Sequence, residues 1–303
     1  MLAHLVPAPL VRIFARPYVA GGEMQAALDT AGALLAERRV VSTLDVLGED
    51  VKRPEQVLHN EATYTRLIRA VAEDPRFAKK AERPTVSLKP SAFSIEADKK
   101  KAFEPIRRIV ERAQAHDVAI TVDMEDHRWT DVTLEQSVAL FEEGFDVGTV
   151  MQTRLHRTEA DLQRIPPKMR IRMVIGIYPE PAEVAITDKA AMKTRMLAYS
   201  EALMARGVYV EFATHDDACV ESFVRDVATK YPDLSEVQML LGVPRTALQG
   251  RVMEGAIGAA LPVRLYVPFA LGWDDATAYL RRRMAESPSM ALLVLRNLLR
   301  RER

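Results

Sequence analysis

Two adjacent arginines, Arg282 and Arg283, stand in residues 262–287, PVRLYVPFALGWDDATAYLRRRMAES. This stretch reads as a short strand, a polar turn and a helix. Helical spacings of three and four set Tyr279, Arg282, Arg283 and Glu286 near one another. A guanidinium offers donors in a fixed fork, so an arginine pair suits a carboxylate ligand. A solvated charged face is the plainer reading of the same residues. Residues 121–126, TVDMED, place Asp123, Glu125 and Asp126 close together. Carboxylates alone favour hard ions, and Asp123, Glu125 and His215 form one alternative, a metal-dependent hydrolase site, although no second histidine sits at ligand spacing.

The elements that must position these groups follow an alternating pattern. Apolar, β-branched runs occur at 40–47, 85–89, 118–124, 147–152, 171–177, 208–214, 237–243 and 263–267. Charged amphipathic stretches such as 61–72, 101–115, 134–143 and 190–206 lie between them, with a further helix at 251–260 and a last one at 290–300. Strands alternating with helices imply parallel βα units. Eight of them predict an α/β fold, a (β/α)8 TIM-type barrel over 41–303. Residues 1–40 are expected to form an N-terminal helical extension, including an amphipathic helix around 10–15, and the last helix of the barrel carries the arginines. Such barrels place chemistry at the C-terminal ends of their strands. There stand Glu49, Lys89, Asp123 with Met124, Gln152, Arg172 with Tyr178, Thr214 with His215, Leu240 and Tyr266.

Bulk properties agree with one such domain. The chain has 303 residues, enough for a barrel of about 250 residues plus an extension. Its 42 basic and 42 acidic residues cancel, so no strong field points to nucleic acid. The one cysteine, Cys219, permits neither an internal disulfide nor a CxxC pair, which is compatible with a reduced, cytoplasmic setting. Pro7 and Pro9 break the N-terminal apolar run, so it is not read as a targeting peptide. No GxGxxG fingerprint opens a Rossmann-type dinucleotide site.

Several motifs resemble the proline dehydrogenase family over about residues 40–300. They are the YLRRRMAE run at 279–286 preceded by RLYVP at 264–268, STLDVLGE at 42–49, VSLKPSA at 86–92, TVDMED at 121–126, VMQTRLHRT at 150–158, RMVIGIYPEP at 172–181, VEFATHD at 210–216 and VQMLLGV at 237–243. The resemblance implies a flavin enzyme with FAD as cofactor. It implies that Arg282 and Arg283 hold the substrate carboxylate, that Glu49 pairs with Arg282 as a gate, and that Lys89, Tyr178, Leu240 and Tyr266 shape the substrate pocket. Asp123 and Arg172 are the implied catalytic residues, with Arg172 near flavin N5. Met124, Gln152, Arg172, Ile175, Gly176, Ile177, Thr214, His215 and Glu286 fall on the cofactor side.

The implied reaction oxidises L-proline to 1-pyrroline-5-carboxylate and passes the electrons to a membrane quinone. It would belong to a cytoplasmic protein with transient membrane contact, in which an oligomer is possible. Three departures stand out. Arg154 replaces a usual tyrosine, Ile175 replaces a usual lysine expected near the cofactor phosphates, and Ile177 replaces a small alanine. They motivate two alternatives: a flavin dehydrogenase of another cyclic or secondary amino acid, and a catalytically silent barrel that binds an amino acid.

Overall fold

The computed structural model describes residues 17–48, 51–95 and 99–272. Glu49, Tyr279, Arg282, Arg283 and Glu286, and the helices expected at 10–15 and 290–300, lie outside them. Eight parallel strands close a barrel in sequence order: β1 Val41–Leu47, β2 Thr85–Leu88, β3 Ile120–Val122, β4 Val147–Gln152, β5 Arg170–Val174, β6 Tyr209–Ala213, β7 Ser235–Leu240 and β8 Val263–Ala270. β8 pairs with β1 along seven residues, from Val41↔Arg264 to Leu47↔Ala270, which shuts the barrel.

The strands end where the backbone must turn. The run expected at 171–177 stops at Val174 because Gly176 takes φ +93°. The run expected at 237–243 stops at Leu240, and Gly242 follows at φ +81°. A Cβ on Gly242 would lie 2.1 Å from the Pro17 carbonyl oxygen, so the entering chain fits only against a bare glycine.

Helices cover the outside. α1 Met24–Arg38 precedes β1, and α2 Pro54–Glu73, α3 Phe103–Ala115 and α4 Thr130–Glu142 follow β1, β2 and β3. The short α5 Thr158–Asp161 follows β4, and α6 Lys189–Met204 follows β5. α7 Asp217–Ser222 was not anticipated from sequence. Its first turn is capped by the Asp216 carboxylate, which accepts from the Cys219 amide at 2.9 Å. The helix expected at 251–260 is instead α8 Thr246–Met253, after which Gly255 at φ +72° turns the chain.

α1 packs on β8 and β1 and covers the seam where the barrel closes. Its buried residues are Ala27, Leu28, Ala31 and Gly32, and a Cβ on Gly32 would meet the Arg76 side chain at 2.8 Å. The apolar core lies between the strands' outward faces and these helices.

Candidate active site

The barrel interior departs from the expectation of apolar strands with polar ends. Alternate residues of the strands are polar and point inward: Thr43 and Asp45, Thr85 and Ser87, Arg170 and Arg172, Tyr209 and Glu211, Glu236 and Gln238, Arg264 and Tyr266. Four cations pair with four carboxylates there. Lys89 Nζ lies 2.8 Å from Asp45, Arg172 Nη1 2.6 Å from Asp123, Arg170 Nη1 2.8 Å from Glu211 and Arg264 Nε 2.6 Å from Glu236. On β4 the inward position opposite Thr121 is Gly148, where a Cβ would lie 2.6 Å from the Arg170 carbonyl oxygen and 3.0 Å from its Cβ. The bare glycine makes room for Arg170.

Asp123 is the centre of the upper layer. Its Oδ1 accepts from Arg172 Nη1 at 2.6 Å and from Ser87 Oγ at 3.2 Å, and its Oδ2 accepts from Tyr266 OH at 2.6 Å. Lys89 Nζ donates to both Asp45 oxygens at 2.8 and 2.9 Å and to Tyr266 OH at 3.3 Å. Arg172 is held on three sides, since Nε donates to Gln238 at 2.7 Å and Nη2 to Ser87 Oγ at 3.1 Å. The guanidinium also sits 5.2 Å from the centre of the Tyr266 ring. These bonds join β1, β2, β3, β5, β7 and β8 across the top of the barrel. Non-neighbouring strands thereby set one rigid constellation.

Electrostatics set the charge state of Arg172, Glu211 and Tyr266. Burial disfavours the Arg172 charge, but Asp123 and Glu211 outweigh it and raise its pKa above the usual value. Burial likewise works against the Glu211 charge, and Arg170, Arg172 and Arg264 together hold its carboxyl below the usual range. Tyr266 is pushed well above its ordinary value by burial and then by Asp123 and Asp45. It therefore remains protonated and donates to Asp123.

The other sequence candidates ring this cluster. Gln152 is buried and its Nε2 donates to the Glu125 carbonyl at 2.8 Å, tying the end of β4 to the loop after β3. Met124 is buried beside it. His215 Nε2 accepts from the Leu240 amide at 2.8 Å, which fixes the tautomer with the proton on Nδ1, and Thr214 Oγ1 accepts from the Asp216 amide at 3.2 Å. Leu240 is half-buried at the end of β7. After β5, Gly176 lies against Gln152 and Arg154: a Cβ there would meet Gln152 Oε1 at 2.6 Å and Arg154 Cδ at 2.7 Å. Ile175 packs against the apolar core, whereas Ile177 is 46% exposed. Tyr178 is half-buried, and its carbonyl accepts from Arg154 Nη1.

The acidic run at 121–126 diverges. Asp123 turns inward, Glu125 accepts from Ser91 N and Oγ, and Asp126 binds Arg128. Among the described residues no group of three or more His, Cys, Asp or Glu is arranged around a common metal position. The metal alternative built on Asp123, Glu125 and His215 thus has no shared coordination point. Asp45, Ser87, Glu211, Glu236, Gln238, Arg170 and Arg264 were missed from sequence. Their signal was the period-two recurrence of polar residues within runs read as apolar, as in Arg170-Ile171-Arg172.

Known proteins resemble this chain in sequence and in fold. The sequence model of the family described as proline dehydrogenase matches residues 27–174. A proline dehydrogenase of Deinococcus radiodurans is 32% identical over 296 residues, covering 94% of this chain and 90% of the relative. Proline dehydrogenase 1 of Bacillus subtilis is 29% identical over 294 residues, covering 96% and 92%. Among solved structures, proline utilization A of Bdellovibrio bacteriovorus, inactivated by N-propargylglycine, superposes with a TM-score of 0.76 at 20% identity. That match covers 93% of this chain and 35% of the solved one. A Bradyrhizobium japonicum proline utilization A mutant gives 0.73 at 22% identity, over 89% and 30%. The chain spans about a third of these longer structures, and at such identities the likeness shows the shared barrel. The near full-length match to the Deinococcus enzyme goes further, and with it the chain belongs to the proline dehydrogenase family.

Proposed function

We propose that this protein is an FAD-dependent L-proline dehydrogenase that delivers its electrons to a membrane quinone from the cytoplasmic side. The observation that carries the reading is the Asp123–Arg172–Tyr266–Lys89 constellation at the strand mouths of a chain from this family. The residues present fit a flavin. Gly176 lets the Arg154 stem lie across the turn after β5, Ile177 exposes an apolar face next to it, and Arg154 Nε is a buried donor with no partner. When bound, the flavin supplies the acceptor for the hydride from proline C5, while the amine proton leaves to complete the C=N bond of 1-pyrroline-5-carboxylate.

The chain's own residues do the rest. Arg282 and Arg283 are assigned to the substrate carboxylate, which a guanidinium pair suits, and Glu49 to the gate as the partner of Arg282; all three lie outside the described residues. Leu240, Tyr178 and the Tyr266 ring wall the pocket. Arg172 holds a fixed positive charge where negative charge develops during oxidation, with no reorganisation needed, because three bonds already fix its plane. Gln152, Met124, Thr214 and His215 are assigned to the cofactor side, as is Glu286, which lies outside the described residues.

An anaerobic visible spectrum of the purified protein, taken before and after L-proline, tests this. Yellow flavin bands that bleach on addition of proline are expected. Bands that persist would move the substrate to another cyclic or secondary amino acid, a reading favoured by the exposed bulk of Ile177 at the mouth. A protein that stays colourless after incubation with FAD would overturn the enzyme reading in favour of a silent amino-acid-binding barrel.

A further inference from the structure

The cations around the mouth come with counter-charges. Lys89 faces Asp45 and Asp123, Arg172 faces Asp123, Lys193 faces Asp216 and Arg245 faces Asp217. Arg154 is different. It stands two residues after β4, and its amide bonds the Ile175 carbonyl at 3.2 Å, which extends the β4–β5 ladder past the strand ends. Its stem crosses Gly176, with Cδ and Cγ 2.7 and 3.0 Å from where a Cβ would stand. Nη1 is spent on the Tyr178 carbonyl. Nε is buried and has no hydrogen-bond partner, and among the described residues no carboxylate reaches Arg154 within ion-pair distance. Its ladder neighbour Ile175 packs into the apolar core and adds no charge. A half-buried guanidinium with an unused donor and no counter-ion is an incomplete anion site.

We propose that Arg154 binds the diphosphate of the flavin dinucleotide. This rests on the flavin reading above. The side chain arches over a glycine that cannot carry a Cβ, so its charge is fixed at the end of β5. A phosphate oxygen would take the idle Nε–H and supply the missing negative charge. The same residue tethers the Gly176–Tyr178 segment through the Tyr178 carbonyl, so a purely positioning role must be separated from a ligand role.

Flavin-stripped full-length protein, titrated with FAD and with riboflavin while flavin fluorescence is followed, makes that separation. Arg154→Gln keeps a donor for Tyr178 and removes the charge, Arg154→Met removes both, and Arg154→Lys keeps the charge. In Arg154→Gln and Arg154→Met, FAD affinity should fall by about tenfold or more, the scale of one charge-assisted contact, while riboflavin, which lacks phosphate, changes by less than about twofold. Arg154→Lys should regain most of the FAD affinity. Equal weakening of FAD and riboflavin would assign Arg154 to positioning alone and overturn the proposal, as would an unchanged FAD affinity. Melting curves of the stripped proteins show whether each variant is folded, and Arg154→Lys keeps the test decisive if Arg154→Met is not. Wild-type protein that takes up no flavin would overturn the flavin reading itself. Flavin uptake that ignores position 154 would remove only this inference.

Discussion

Asp123 is the acceptor on which three donors of the site converge. It accepts from Arg172, Ser87 and Tyr266, and Lys89 Nζ stands 3.7 Å away. Asparagine has nearly the same shape, so Asp123→Asn isolates the charge. It would leave Arg172 buried without its nearest carboxylate and give Tyr266 OH a weaker acceptor. Breaking a buried ion pair from one side costs about 3–5 kcal/mol, and losing a preorganised electrostatic contact costs about 10²–10³ in turnover. Both a lower melting temperature and a fall of that size in kcat are expected. Tyr266→Phe removes one donor and no charge, so its stability cost should be about 1–3 kcal/mol. If the two variants lose equal stability, Asp123 is not the hub that the geometry makes it.

At the scale of elements, the alternation of strand and helix was legible in the sequence because β-branched runs and amphipathic stretches each carry their own period. β4 was expected at 147–152 and is found there. The strand ends were also legible as the place for polar residues. The polar interior was not. A partly buried arginine paired with a buried glutamate leaves no hydrophobic mark, and its partner lies on another strand, as with Arg170 on β5 and Glu211 on β6. The role of α1 was hidden for a similar reason. A helix near the N-terminus meets β8 only after the barrel has closed, so its buried Ala27, Leu28 and Ala31 read as nothing special in sequence. Gly148 gives this hidden packing a test. Alanine there would drive a Cβ to 2.6 Å from the Arg170 carbonyl oxygen, and a ladder backbone cannot yield without moving β5. Overpacking of this kind costs about 1–3 kcal/mol, and chemical denaturation of Gly148→Ala should show it, with kcat reduced because β5 also carries Arg172. A Gly148→Ala protein as stable as the parent would mean that the interior is looser than these distances describe.

At the scale of the whole molecule, charge is balanced in sum, 42 basic against 42 acidic residues, and many of the described charges are paired, which sets how stability responds to pH. Glu61 is held below its ordinary value by hydrogen bonds from Arg108, Asp131 by Arg157, Asp216 by Lys193, and the buried Glu211 by its three arginines against the cost of burial. For each, the unfolded chain takes up a proton at higher pH than the folded one. The stability they contribute is present above the unfolded values, 3.8 for Asp and 4.5 for Glu, and is lost as pH falls below them. On the alkaline side the shifts run the other way. Burial pushes the Cys219 thiol from 9.0 up to about 11 and raises Tyr266 and Tyr209 well above 10.0. The unfolded chain then releases these protons first, so their contribution is present below about 9 and is lost as pH rises beyond it. The two windows leave a plateau between them. Denaturation midpoints measured across pH should stay level from about 5 to about 9, fall steeply towards acid as several paired carboxylates protonate together, and fall again above 9. High salt should shrink the acid step from the exposed pairs while leaving the part due to Glu211, which solvent ions do not reach. A midpoint that drifts steadily between 5 and 9 would show that groups other than these paired carboxylates and buried hydroxyls govern the balance.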